Sequence, residues 1–181
     1  MGKTRSTLDE AAINFIQAQH MFFVASAPLS ANGHVNLSPK GLDTFRILDP
    51  TTVAYLDFNG SGVETIAHLK ENGRIVLMFC AFQGPPNILR LYGQGRVAEP
   101  HDEEFPALAT QFPAYEAVRS VIVVSLTRIT DSCGYGVPLL KYEGERQQLA
   151  AWARKTGPEG LRAYRERKNR RSIDGLPGVS G

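Results

Sequence analysis

The sequence predicts a mainly β fold with peripheral helices, built from antiparallel strands closed or partly closed into a barrel. Three observations predict it. Runs of β-branched and aromatic residues recur between residues 21 and 132, making about six or seven strands. Only one short helical stretch separates the third and fourth long runs, so the βαβ alternation of a doubly wound sheet is missing. Gly93 and Gly95 interrupt one strand as a bulge or sharp bend would.

Residues 8–20 read as a helix, since Leu8, Ala11, Ala12, Phe15, Ile16 and Gln19 recur at helical spacing. Thr7 is the expected cap, with Glu10 as its capping-box partner. Strands follow at 21–29 and, after the turn Ser30-Ala31-Asn32-Gly33, at 34–41. Residues 45–48 read as a short edge strand and 52–58 as a firm one. A helix over 60–72 starts at Ser61 or Gly62 and stops at Asn72-Gly73. Strands at 74–82 and 87–100 come next; the first is apolar enough to be buried on both faces. Residues 101–119 read as helical, interrupted by Pro106 and Pro113, and 120–132 as the last strand. The texture then changes. Residues 133–142 are turn-rich, 143–171 read as two amphipathic helices split at Gly157-Pro158, and 172–181 form an irregular tail. This divides the chain into a barrel domain, 1–142, and a helical extension with a tail, 143–181, packing on the barrel or on a partner chain.

The 181 residues suffice for one domain with a sizeable core. A net charge of +2 gives no case for a nucleic-acid partner. Cys80 and Cys133 are too few for a disulfide framework, and Cys80 sits in an apolar run as a buried thiol would. The opening run MGKTRSTLDEAA lacks the apolar core of a signal peptide, and no apolar run is long enough to cross a bilayer as a helix. A cytoplasmic protein without a membrane partner is the expectation. No His-x-x-x-His, Cys-x-x-Cys or carboxylate cluster points to a metal.

Four stretches can carry chemistry. Asn36-Leu37-Ser38-Pro39-Lys40-Gly41 ends a strand; a lysine and a hydroxyl stiffened by proline suit an anion or an electron-rich ring. A hairpin turn with a solvated lysine is the alternative. Residues 57–65, which hold Asp57, Phe58, Ser61, Gly62 and Thr65, join a strand to a helix start, where free N–H groups and glycines favour a phosphate. A plain helix cap is the alternative; Glu64 is expected to point outward. Arg90 interrupts an apolar strand and shares a face with Ile88, so it faces a ligand, a partner charge or water. Cys133 and Tyr135 stand between glycines after the last strand, as pocket lining. No histidine follows Cys133, and a structural cysteine outweighs a catalytic one. No residue is assigned a catalytic role. The tail from Lys168 to Gly178 either folds back, crosses to a partner or frays.

In order and spacing, FFVASAP, HVNLSPKG, TVAYLDFNGSGVETIAHLKENGRIVLMF and NILRLYGQGRV, from Ala12 to Pro100, resemble the pyridoxamine 5′-phosphate oxidase-like family of FMN-binding split barrels. The resemblance implies a six-stranded antiparallel Greek-key split β-barrel and a homodimer with flavin in grooves at its interface. It implies FMN as cofactor and a flavin-dependent oxidoreductase acting on a small molecule. By position, Lys40 looks like the lysine near flavin and substrate. Asp57 and Phe58 fall where strand backbone meets the ring, Ser61, Gly62 and Thr65 where the phosphate is held, and Arg90 beside the ring. With Ser38 and Pro39 these make the expected cofactor set; Cys133 and Tyr135 line the substrate side. Val63-Glu64-Thr65 replaces an arginine-lysine pair of the oxidase, and Val35 replaces an arginine, so the phosphate grip and the substrate are expected to differ. Two other readings keep the fold: a split barrel for the deazaflavin F420 or haem, and a non-enzymatic flavin-binding stress-response module.

Overall fold

In the computed structural model, residues 4–180 are described. The first three positions of the opening run and the last residue of the tail lie outside them. The elements run β1 (Thr4–Arg5), α1 (Glu10–Gln17), β2 (Phe22–Ser26), β3 (Asn36–Lys40), β4 (Phe45–Asp49), β5 (Thr52–Phe58), α2 (Glu64–Asn72), β6 (Arg74–Cys80), β7 (Ile88–Ala98), α3 (Phe105–Ala109), β8 (Val118–Ser132) and α4 (Gln148–Lys168).

All the strands belong to one antiparallel sheet of order β3-β2-β6-β7-β8-β5-β4, with β1 pairing β8. The described strands number eight, not six. Each of the seven runs read as strands is one. The eighth, β1, was hidden by its length: Thr4 and Arg5 pair with Thr130 and Ile129, and Arg5 fastens them by two hydrogen bonds to Asp131, at 2.8 and 3.1 Å.

The sheet curls until its two ends face one another. Phe22 of β2 lies 5.2 Å from Phe45 of β4 and 5.6 Å from Tyr55 of β5, ring to ring. Alternation along each strand puts Val24, Leu77, Leu89, Leu91, Ile122 and Val124 inside, against Ile16 of α1 and Ile66 of α2. Burial of this apolar surface is the main drive for the closure. A second cluster covers the outer face of β5 and β8 with Phe105 and Phe112, and a third joins Ala153 and Leu161 of α4 to Ala117.

Three local expectations are corrected. The helix α1 is capped by Asp9, whose Oδ1 accepts from Ala12 N at 2.8 Å, not by Thr7. At α2 the cap is Val63, with no side-chain cap bond, so neither Ser61 nor Gly62 starts it. Only Phe105–Ala109 of the stretch read as helical is an α-helix. Pro106 is tolerated in a first turn, Pro113 cannot continue a helix, and β8 already begins at Val118. The glycine bend stands where expected: the β7–β8 register shifts between Tyr92 and Gly93, and a Cβ at Gly93 would overlap Ser125 O. The α4 segment breaks at Gly157 (φ 69°), the split read from Gly157-Pro158. No described helix is long and apolar enough to cross a membrane.

Candidate functional site

The site grows from the β2–β3 hairpin. Its register sets Ser26 against Asn36, Val24 against Ser38 and Phe22 against Lys40. Alternation then turns Asn36, Ser38 and Lys40 inward as a half-buried polar row, while Leu37 and Pro39 face outward. Asn36 Nδ2 donates to Thr65 Oγ1 at 2.9 Å, tying this row to the start of α2.

Lys40 meets β5. Its Nζ donates to Asp57 Oδ1 at 3.3 Å and stands 6.0 Å over the Tyr55 ring. Asp57 is fully buried, and Arg119 Nε donates to its Oδ2 at 2.5 Å. Arg119 Nη1 reaches on to Gly62 O at 2.8 Å. Burial pushes the Asp57 carboxyl up, but the charges of Arg119 and Lys40 outweigh burial and hold it below the usual carboxylate value. The result is a charged chain, Lys40–Asp57–Arg119–Gly62, running beneath the polar row. Arg119 was missed because the strand was read as starting at residue 120. Like Arg90, it is a charge beside an apolar strand run that needs a partner, and that was the available signal.

At the start of α2 no side chain caps the first-turn N–H groups. Glu64 does not point outward: it curls back over Gly62, where a Cβ would overlap its Oε2, and its Oε1 accepts from Ile173 N at 3.2 Å. A carboxylate is favoured there by the same helix end that favours a phosphate. The tail folds back on its own chain, as Asn169 Nδ2 donates to Gly60 O at 2.9 Å and Asp174 pairs with His34 at 2.6 Å. Just behind lies a pair the sequence reading passed over. His68, fully buried on α2, shares a 2.9 Å hydrogen bond through Nδ1 with Ser26 Oγ, and burial lowers its pKa. Its place among Thr65, Ile66, Ala67 and Leu69 in α2 was the available signal.

Ser38, Lys40, Asp57, Gly62 and Thr65 thus come together. The other expected residues stand apart within one chain. Phe58 packs on Tyr115, ring centroids 5.3 Å apart, in the outer apolar cluster. Ser61 is exposed in the loop. Pro39 and Arg90 lie on the outer sheet face, where Arg90 sits opposite Met78 and Thr130 and donates to Ser132 Oγ at 3.0 Å. Cys133 is exposed and Tyr135 is 82% exposed, beyond Gly134, whose backbone packs on Asn87. Beside Lys40, at the end of the barrel, opens a cavity of about 1000 Å³; Phe58 lines a neighbouring one of about 310 Å³.

The family model for pyridoxamine 5′-phosphate oxidase matches residues 8–133. The pyridoxamine 5′-phosphate oxidase family protein ustO of Aspergillus flavus is 40% identical over 178 residues, covering 89% of this chain and 71% of that protein. Among solved structures, a Lactobacillus delbrueckii protein named for pyridoxamine 5′-phosphate oxidase superposes with a TM-score of 0.54 at 17% identity, covering 69% of this chain and 94% of its own. HupZ of Group A Streptococcus superposes with a TM-score of 0.52 at 19% identity, covering 67% and 91%. These two share the fold.

Proposed function

The chain belongs to the pyridoxamine 5′-phosphate oxidase family, and from that premise we propose that it binds FMN and works as a flavin-dependent oxidoreductase on a small molecule. The observation that carries this is the inward polar row of β3 facing the uncapped start of α2 across the Lys40–Asp57–Arg119 chain.

The donor set fits a flavin phosphate. The first-turn N–H groups of α2, the hydroxyls of Ser38 and Thr65 and the Lys40 ammonium offer hydrogen bonds and positive charge within one connected region. When bound, FMN supplies the electron-transfer chemistry, and the chain binds and orients it. Asp57 fixes the position of Lys40. The Tyr55 ring, buried beneath, limits where the ammonium can go. Glu64 competes for the same helix end and has to swing away from Gly62.

A homodimer is part of the reading. Leu37, 65% exposed, stands on the outer face of β3, Val35, 73% exposed, lies just before that strand, and Tyr92 stands on the outer face of β7. A second copy covering that face would bring Arg90 and Pro39 to an interface, which supports their place in the cofactor set. Both cysteines are free thiols, in keeping with a reducing cytoplasm.

Titration of the protein with FMN, followed by flavin fluorescence, tests the proposal. Lys40→Ala is expected to weaken binding about tenfold, the worth of one charge-assisted hydrogen bond. Identical FMN affinity in wild type and Lys40→Ala would remove Lys40 from the site. Reduction of the bound flavin by NADH or NADPH favours the oxidoreductase over a non-enzymatic flavin module.

A further inference from the structure

We propose that the cavity at the end of the barrel is the substrate pocket, and that it takes an apolar or aromatic carboxylic acid. Naming the ligand a substrate rests on the flavoprotein reading; naming its chemistry rests on the cavity itself.

The cavity measures about 1000 Å³ and lies between the end of α1, the β3–β4 turn, the β6–β7 turn and residues 140–149. That is room for a ligand larger than a single small ring. The fourth wall falls outside residues 8–133, so this chain builds it from residues beyond the family match. Leu140 N donates to Phe82 O at 2.9 Å and Gln83 Nε2 donates to Leu140 O at 3.3 Å, which hold the wall against the β6–β7 turn.

The lining is chiefly apolar, with Met21, Leu42, Phe82, Leu140 and Leu149. His20 and Tyr142 stack at 3.7 Å with their planes 8° apart, giving the pocket a flat aromatic slab. An apolar or planar body gains by leaving water against such a surface.

Charge sets the rest of the ligand. Glu145, the one carboxylate of the lining, is already committed: Tyr142 Oη donates to its Oε1 at 2.9 Å and Leu42 N donates to its Oε2 at 3.3 Å. Lys40 is held by Asp57. Lys141 and Arg146 remain, one 4.0 Å from Glu143 and the other without an ion pair among the described residues. The lining therefore carries more cations than carboxylates, with Lys40, Lys141 and Arg146 against Glu145, so an anion entering the pocket is favoured over an amine. Leu42 adds an independent sign of a built site. It is the one described non-glycine residue with positive φ, 61°, pinned by Glu145 at the rim. Strain of this kind persists where surrounding structure enforces it, and it gathers at ligand sites.

The test is isothermal titration calorimetry on the protein as purified, with three probes of one body: 6-phenylhexanoate, 6-phenylhexan-1-ol and 6-phenylhexylamine. The acid is expected to bind about tenfold tighter than the alcohol, as one added charge interaction gives, with the amine weakest. The double substitution Lys141→Ala and Arg146→Ala is expected to erase the preference for the acid. Both residues are on the surface, so a melting curve should show the fold intact, and FMN affinity should not change. Equal binding of acid and alcohol, or a preference that survives the double substitution, overturns the proposal. Acid binding in a protein that takes no FMN would overturn the flavin reading, and with it the name substrate, while supporting the carboxylate pocket.

Discussion

Replacing Asp57 by asparagine leaves Arg119 and Lys40 facing each other without their shared carboxylate. Breaking a buried pair this way costs about 3 kcal/mol, and the melting temperature should drop accordingly. The pH dependence has a definite sign. Asp57 sits below its ordinary value of 3.8 in the fold, so its stabilising contribution is complete above that value and is lost as pH falls below it, through the lowered folded value. Acid unfolding of wild type and Asp57→Asn measures this, and the variant should show the shallower loss on acidification. Glu64 points the other way. Glu64→Gln removes a negative charge from the helix end while keeping an acceptor for Ile173 N, so FMN should bind tighter by about fivefold, the scale of a helix-end charge. Lys40 and Asp57 were legible in the sequence because a lysine after Ser-Pro and an acid at a strand end are local signals. Their union through Arg119 was not, because it spans residues 40 to 119.

The elements explain what sequence order concealed. Strand periodicity named every long strand, since alternation is a property of each run by itself. The short β1 carries no period of its own and exists only because β8 and Asp131 receive it. The tail gave only its turn residues, yet Asn169 and Gly178 pack it against the loop before α2. A Cβ at Gly178 would overlap Asn169 O and crowd both Val63 methyls. Gly178→Ala is therefore expected to loosen the tail and expose residues 60–65. Hydrogen exchange would show it as faster exchange in that loop, with the β7–β8 ladder unchanged. Unaltered exchange in residues 60–65 would mean the tail does not brace the loop.

For the whole molecule, one chain presents only part of the expected cofactor set. Ser38, Lys40, Asp57, Gly62 and Thr65 gather inside, while Pro39 and Arg90 stand on the outer sheet face. The homodimer proposed through that face would reconcile the two groups. Leu37→Glu places a charge in the middle of it, so sedimentation should shift from dimer to monomer, and FMN affinity should fall with it. A monomeric wild type would refute the dimer. The resemblance read from the sequence carried the barrel to within its strand count, because order and spacing of strands encode topology. It carried less of the site, since spacing along one chain does not record which strand faces and loops meet, as with Arg119 and Asp57. FMN binding is tested by the absorbance spectrum of the purified protein, before and after adding FMN and again after denaturation. Flavin bands displaced from those of free FMN, returning to the free form on unfolding, are expected. Bands that never depart from free FMN, with no flavin retained through gel filtration, would contradict it.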